Sequence, residues 1–311
     1  DRSPSRGLGD VYKRQPLCGV GGATMEAACF RAGIPSPVRV NNQFEPDGSF
    51  PGLPFPNPEE PGVLDAAYSV ADKANAPLVV ANDPDADRLA VAVRTDLGWH
   101  QLTGDELGLL LCDHQLSKTS GENRLTASSF VSSEAVGTLC AAHGVEHVRT
   151  LTGFKWIMEP AVSLSDSNWI FGYEEALGYS VNDLVLDKDG IAAAITFLEM
   201  WYELNSRGTD PLARLDELAL EIVTRFHSKG AARLAKQAFI DRFQKGVLPE
   251  DLRDVEVDSK SEKMPLTHAM RAAGLVASTS EGLRMIEQGA VRIDGERVLD
   301  RALQLLSLIH I

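Results

Sequence analysis

The sequence has few cysteines, no long apolar run and a deficit of positive charge. Its 4 cysteines show no C-x-x-C spacing, which argues against a disulfide framework or a zinc site and favours buried free thiols. No run of 18 apolar residues and no apolar secretory signal occur, so we expect a cytoplasmic protein without a membrane span. The net charge of -14, from 30 Lys and Arg against 44 Asp and Glu, disfavours a large nucleic-acid footprint but leaves a local basic patch open.

The composition, 44% hydrophobic and 24% charged over 311 residues, is typical of a globular protein of two or three domains. Strand and helix patterns alternate from residue 16 onward, beginning with a strand over residues 17–20 before a glycine turn. We expect residues 1–15 to be a disordered, non-native leader and the extreme C-terminus to be non-native as well. The predicted parts are two α/β domains, a helical and acidic linker, a compact module and a tail: 16–118, 119–215, 216–263, 264–303 and 304–311.

The most informative motif is an acidic loop at residues 82–88, directly after a buried strand. Pro84 prevents a regular helix, and in an extended loop the side chains of Asp83, Asp85 and Asp87 fall on one side. Converging carboxylates repel one another unless a cation lies among them, and Mg²⁺ suits a site with three protein oxygen ligands. An EF-hand calcium loop fits less well, because its sixth and twelfth positions here are arginine. A solvated acidic turn is the remaining alternative.

A second motif, at residues 171–179, also follows a strand. Its glycines allow a sharp turn that presents Glu174 and Glu175, whose carboxylates can accept hydrogen bonds from sugar hydroxyls; a charged hairpin tip is the alternative. Two lysines stand in neighbouring glycine-containing motifs. Lys155 follows a glycine turn and is placed to meet a phosphate, and Lys188 precedes a long helix. A lone lysine is more often a solvated surface group.

Together these motifs resemble the α-D-phosphohexomutase superfamily, the phosphoglucomutases and phosphomannomutases, and most closely its phosphoglucomutase-2 and phosphopentomutase-like branch. The resemblance covers residues 16–215, where six motifs occur in the family's order. They are PLCGVG at 16–21, FPNPEEP at 55–61, DPDADR at 83–88, TGFK at 152–155, GYEEALG at 172–178 and DKDG at 187–190. The implied fold class is α/β: two consecutive three-layer α/β phosphohexomutase domains, followed by a helical linker and a small α+β RNA-binding module.

The resemblance also implies roles for individual residues. Asp83, Asp85 and Asp87 would be the Mg²⁺ ligands, and Arg88 would lie beside them in a supporting position. The glutamates of the second motif would recognise the sugar of a hexose or pentose phosphate, and Lys155 and Lys188 would bind the same substrate. Cysteine at position 18 and the Ala-Leu pair at 176–177 differ from many hexose mutases, so the preferred sugar stays open.

The resemblance further implies a phosphoserine on a domain preceding residue 16 and a phosphate-binding domain after the third one. Neither motif is found in this sequence, so no catalytic nucleophile is assigned and we expect the chain alone to be inactive. Ser128 superficially resembles the nucleophile, but its surroundings predict a buried strand. A separate chain that supplies the missing domain is an alternative.

The C-terminal part resembles the S-four-type RNA-binding module of bacterial tyrosyl-tRNA synthetases. The resemblance rests on AAGLVAS at 272–278, RMIEQG at 284–289 and VRIDG at 291–295, and it extends upstream into a synthetase-like linker. Two helices and a hairpin are predicted, closed by glycines. The resemblance implies binding of structured RNA or tRNA, with four arginines as the candidate contacts: Arg271, Arg284, Arg292 and Arg297.

Residues 264–303 contain five arginines, including Arg301, and five acidic residues. Binding would therefore be weak and salt-sensitive, and a structural appendage without RNA affinity is the alternative. The complete interpretation is a fragment of a mutase joined to a synthetase-like tail near residues 216–219. An artificial join, made during sequence assembly or recombination, is favoured over a natural bifunctional protein. The rival interpretation is an RNA-binding protein in which the mutase half is a scaffold.

Overall fold

The computed structural model describes residues 12–164, 166–241, 255–257, 263–293 and 296–306. The chain divides into two compact units, Asp1–Lys236 and Gln237–Ile311. None of the helices in these described ranges combines the length and apolarity that a bilayer crossing requires.

The first sheet of the first unit has five strands in the order β2-β1-β3-β4-β5. Strand β1 pairs in parallel with β2 and β3, whereas β3, β4 and β5 pair antiparallel in succession. Its elements are β1 Tyr12–Gln15, α1 Gly21–Ala32, β2 Val38–Arg39, a 3₁₀ turn Asn41–Gln43, α2 Asp65–Lys73, β3 Leu78–Ala81, β4 Ala90–Thr95 and β5 Gly98–Gln101. Strand β3 is buried along its whole length, as its apolar sequence predicts.

The predicted strand over residues 17–20 is wrong. The strand is β1, which lies inside the predicted leader, and residues 1–11 lie outside the described residues. Leu17 and Cys18 instead form a buried turn with positive φ angles of 47° and 59°. A short apolar run predicts burial, but it does not distinguish a strand from a buried turn.

The second sheet has the order β7-β6-β8-β9, with β6 parallel to both β7 and β8 and β9 antiparallel to β8. Thr103 caps the first helix of this region through a capping box with Glu106. The elements are α3 Gly104–Lys118, β6 Arg124–Ser129, α4 Ala135–Ala142, β7 Glu146–Thr150, α5 Phe154–Ser163, β8 Asn168–Glu174, β9 Gly178–Ser180, α6 Gly190–Ser206, α7 Pro211–Phe226 and α8 Lys229–Phe239.

Helix α3 packs with the second sheet, although the predicted boundary at residue 118 placed it with the first. It contacts β8, α4, α6 and α7. The Tyr179 hydroxyl donates a hydrogen bond to the Gly104 carbonyl oxygen (3.2 Å). A Cβ on Gly108 would lie 2.5 Å from the Tyr173 ring, so only glycine allows this close approach. One apolar core then extends from the first sheet through α3 to α6.

The expected junction near residues 216–219 lies inside α7, which is continuous. Leu218 is fully buried in the core shared by the two sheets. Arg214, one turn earlier, binds both carboxylate oxygens of Asp113 on α3, at 2.8 and 2.9 Å. The first compact unit therefore extends to Lys236, beyond the predicted boundary at residue 215.

Over residues 263–306, the described part of the second unit contains two short helices and two small antiparallel sheets, β10 with β13 and β11 with β12. Ser278 caps the second helix by accepting a hydrogen bond from the Glu281 amide (3.2 Å). The elements are β10 Lys263–Pro265, α9 Leu266–Ala272, α10 Thr279–Glu287, β11 Arg292–Ile293, β12 Glu296–Arg297 and β13 Gln304–Leu306. The two helices and the hairpin strands agree with prediction, whereas the predicted turn at 294–295 lies outside the described residues. Residues 304–306, the described part of the predicted tail, form β13.

All four cysteines are free and buried, as predicted. The sulfur atoms of Cys112 on α3 and Cys140 on α4 lie 3.6 Å apart. Their burial indicates a packing role for these side chains.

Candidate metal and sugar-phosphate site

The acidic loop begins where β3 ends. The side-chain amide of Asn82, which is fully buried, donates to the carbonyl oxygen of Arg88 (2.7 Å) and closes the loop. Within it, the Ala86 amide donates to the Asp83 carbonyl oxygen (3.0 Å), and Ala86 has φ +62°. These local bonds hold the chain in a tight turn, so the alternating carboxylates are directed to one side.

The three carboxylates converge as the spacing predicts. Asp83, Asp85 and Asp87 each offer an oxygen atom, and these atoms lie within 4.8 Å of one another. Burial, followed by the charges of the other two carboxylates, raises the pKa of Asp83 to about 7, although the hydrogen bond from the Arg88 amide opposes this. One oxygen of Asp87 is buried without a hydrogen-bond partner among the described residues. Clustered, desolvated carboxylate oxygens of this kind fit a hard divalent cation.

Two glycines allow neighbouring loops to approach the acidic loop. A Cβ on Gly19 would lie 2.1 Å from the Pro84 carbonyl oxygen, and a Cβ on Gly190 would lie 2.2 Å from the Arg88 carbonyl oxygen. The Gly19 loop follows β1, and Gly190 begins α6. Because β1 and β3 are parallel neighbours, the Gly19 loop after β1 and the acidic loop after β3 lie at the same edge of the sheet.

Two cationic side chains adjoin the carboxylates. The Lys188 Nζ atom lies 2.8 Å from an Asp87 oxygen. Burial lowers the pKa of Lys188, but its hydrogen bond and charge attraction to Asp87 outweigh burial, so the net shift is upward. The Arg88 Nε atom lies 3.6 Å from Asp83 and 3.9 Å from Asp87. The positive charges of Lys188 and Arg88 reduce the repulsion within the acidic cluster.

The turn that joins β8 and β9, residues 175–177, lies with its flanking residues against the acidic loop. The Leu89 amide donates to the Leu177 carbonyl oxygen (3.0 Å), and Arg88 pairs with Gly178 in an isolated antiparallel bridge. Glu174, only 9% exposed, has a raised pKa because of burial, which the charges of Lys188 and Arg88 partly oppose. The structure thus brings one glutamate of the second motif beside the cations of the acidic cluster.

The neighbouring glutamate has different partners. One oxygen of Glu175 accepts hydrogen bonds from the hydroxyls of Ser129 (2.9 Å) and Ser132 (2.8 Å), which lie at and beyond the end of β6. Sequence reasoning missed these serines, because they precede Glu175 by more than 40 residues and belong to no motif. Strand pairing between β6 and β8 was the only available signal.

Lys155 lies at the start of α5 and is exposed, with its Nζ atom 5.2 Å from the centre of the Trp156 ring. The preceding residue, Phe154, has its ring 5.9 Å from the Lys188 Nζ atom. The start of α5 is therefore a neighbour of the acidic site, and Lys155 projects from it into solvent.

In the second unit the four predicted RNA-contact arginines are all exposed. Arg271 is on α9 and Arg284 on α10, whereas Arg292 and Arg297 are opposite each other across β11 and β12. Arg301 is paired with Glu287 at 2.7 Å. The S-four-type module therefore presents these arginines on its surface, and Arg292 and Arg297 form a pair across the hairpin.

Comparison with known proteins agrees with these observations. Residues 12–98 match the family of phosphoglucomutase/phosphomannomutase, alpha/beta/alpha domain II, and residues 103–222 match domain III of the same family. Residues 264–306 match the S4 domain. The synthetase-like origin of the linker stays a prediction.

The "Probable phosphomannomutase" of Haemophilus influenzae is 43% identical over 222 residues, which cover 71% of this chain and 44% of that protein. The phosphoribomutase of Saccharomyces cerevisiae is 40% identical over 190 residues, covering 57% of this chain and 30% of the relative. A phosphoglucomutase/phosphomannomutase family protein of Burkholderia thailandensis shares the fold, with a TM-score of 0.54, 20% identity, and coverage of 67% of this chain and 42% of that one. The chain spans less than half the length of these relatives. It belongs to the phosphoglucomutase/phosphomannomutase family over residues 12–222, and it contains an S4 domain over residues 264–306.

Proposed function

We propose that the first unit binds Mg²⁺ through Asp83, Asp85 and Asp87 and a sugar phosphate beside it through Glu174 and Lys188. The supporting observation is that Lys188, beside Glu174, meets the carboxylate cluster at 2.8 Å. This arrangement offers oxygen ligands for a metal ion next to a cation for a phosphate and a buried carboxylate for sugar hydroxyls.

The reaction class is phosphoryl transfer between two hydroxyls of one sugar. When bound, Mg²⁺ would neutralise charge on the transferred phosphoryl group. Lys188 would orient the phosphate, and Lys155 would reach it from the start of α5. Glu174 would accept hydrogen bonds from the sugar, and Arg88 would support the acidic loop.

We expect binding without turnover by this chain alone, because the family resemblance assigns the phosphoryl donor to a serine on another domain. Ser128 does not replace it. It is buried in β6, with its hydroxyl 3.1 Å from the His147 Nε2 atom.

Isothermal titration calorimetry with glucose 1-phosphate and with ribose 5-phosphate, each in MgCl₂, tests this function. We expect measurable binding that Lys188→Met abolishes, whereas Lys73→Met, at the exposed end of α2, leaves it intact. Equal binding by Lys188→Met and the unchanged protein would contradict the assignment, and turnover by the purified chain would contradict the expected inactivity.

A second function, binding of structured RNA by the S4 domain, is favoured by the pair Arg292 and Arg297. These two exposed arginines lie directly opposite each other in the hairpin, so their guanidinium groups can bind neighbouring phosphates of an RNA backbone. Arg271 and Arg284 would add further phosphate contacts. A structured tRNA is the appropriate probe, in a salt titration.

A further inference from the structure

The loops that follow β6 and β8 meet at one edge of the second sheet, because these strands are parallel neighbours with Ser128 opposite Tyr173. At this edge both serine hydroxyls, from Ser129 and Ser132, donate to the same carboxylate oxygen of Glu175. The two hydroxyls are themselves 2.8 Å apart. Both serines are almost fully buried, and this carboxylate oxygen is an acceptor that their two hydroxyls share.

The main chain of Glu175 is held as well. Its amide donates to the Ser132 hydroxyl (3.2 Å). A Cβ on Gly104 would lie 1.7 Å from the Glu175 carbonyl oxygen, so the beginning of α3 packs directly against this peptide. Both the side chain and the backbone of Glu175 are therefore engaged by the domain that contains β6 and α3.

Glu174 and Leu177, on either side of Glu175, contact residues at the acidic loop and not the serines at the end of β6. Glu174 ends β8 beside Lys188 and Arg88, and successive side chains of a strand point to opposite faces. Leu177, two residues after Glu175, has a positive φ of 64° and accepts the hydrogen bond from the Leu89 amide. A non-glycine residue keeps such a conformation only where its surroundings determine it.

Building on the function proposed above, we infer that Glu175 is a positioning residue and not a sugar ligand. Ser129 and Ser132 hold its carboxylate, and this tie fixes the loop so that Glu174 faces the substrate. Without the tie, the two serine hydroxyls lose the carboxylate oxygen that they share, and the loop is free to move away from the acidic site.

The serines allow a direct test, because they can be changed while Glu175 stays intact. We would measure the affinity for glucose 1-phosphate in MgCl₂ and, without ligand, the hydrogen exchange of the Leu89 amide. The variants are Ser129→Ala with Ser132→Ala, Glu175→Ala and Glu175→Gln. The matched control is Ser206→Ala, whose exposed hydroxyl makes one local bond at the far end of α6. Thermal unfolding would establish that each variant is folded, and the single serine variants replace the double one if it is not.

We expect the double serine variant and Glu175→Ala to lose about tenfold in affinity, the effect of breaking hydrogen bonds to a charged group. In both variants the Leu89 amide should exchange its hydrogen faster. Glu175→Gln, whose side-chain oxygen still accepts from both serines, should resemble the control in affinity and in exchange rate. Unchanged affinity and exchange in the double serine variant would overturn the inference, and so would a Glu175→Gln variant as impaired as Glu175→Ala. If the unchanged protein does not bind glucose 1-phosphate, the proposed sugar fails and the exchange measurement alone decides the positioning role.

Discussion

The two compact units place their polar residues in different ways. In the first unit, the candidate site is assembled from loops that converge: Asp83 is 8% exposed and Glu174 is 9% exposed. In the second unit the candidate residues are arginines on the surface of two short helices and a hairpin, around a small core of Leu266, Met270 and Ile286.

The difference shows which properties each unit requires for binding. Charges that are desolvated and packed together depend on the surrounding fold, so substitutions should have large, local effects. Exposed arginines act through the summed field on a phosphate backbone, so single substitutions should have small and salt-dependent effects.

The largest effect expected is on the stability of the first unit, at its predicted junction. Leu218→Ala should lower the free energy of unfolding by about 3 kcal/mol, because it leaves a cavity in the core. Urea unfolding measures this. Leu234→Ala on α8, where the side chain is 73% exposed, should change it by less than about 0.5 kcal/mol. Equal effects of the two substitutions would show that α7 is not part of this core.

The next effect concerns the metal. Asp85→Asn should weaken Mg²⁺ binding by at least about tenfold, since even the loss of an outer partner of a metal site has this effect. Calorimetric titration with MgCl₂ measures the affinity. Asp96→Asn, in the exposed turn between β4 and β5, is the control that removes the same charge elsewhere. If both variants bind Mg²⁺ equally, the acidic loop is a solvated turn.

A smaller effect is expected for RNA. Replacing Arg292 and Arg297 together by Gln should weaken binding of a structured tRNA and reduce the salt slope of log K by about 1 for each phosphate contact removed. Fluorescence anisotropy over a series of KCl concentrations measures both quantities. Arg233→Gln on α8 is the control outside the S4 domain. An unchanged slope would favour the structural appendage.

The smallest effect is a pH dependence. Burial lowers the pKa of His114, and the nearby carboxylate of Glu199, 3.7 Å away, only partly opposes this. The folded protein then binds this proton more weakly than the unfolded chain, so the free energy of unfolding should decrease as the pH falls below 6.5. His114→Gln should remove this part of the pH dependence. His143→Gln, at an exposed position, should preserve it.

The acidic loop was predictable because its geometry is local. Asp83, Asp85 and Asp87 follow one another at intervals of two positions, and the bonds that close the loop join residues at most six positions apart. The capping of α3 by Thr103 and of α10 by Ser278 was predictable for the same reason. Each of these features depends on interactions between residues that are close in sequence.

Predictions failed where the neighbour is distant in sequence. Apolar residues 17–20 indicated burial but not the turn that the adjoining loops impose. Composition suggested a change of domain inside α7, yet Leu218 and Arg214 contact a core and a helix formed about a hundred residues earlier. The unequal surroundings of Glu174 and Glu175 also depend on strand pairing, which the adjacency of two glutamates does not reveal.

By itself the sequence determined the α/β alternation, the convergent carboxylates and the buried free cysteines, because backbone geometry and apolar periodicity act over a few residues. Only the tertiary structure decided that α3 packs on the second sheet and α7 packs against α3 and α4, that Lys188 meets Asp87, and that two serines bind the carboxylate of Glu175. The reason is that parallel strands bring together loops from distant parts of the chain, and these contacts select among the local conformations that the sequence permits.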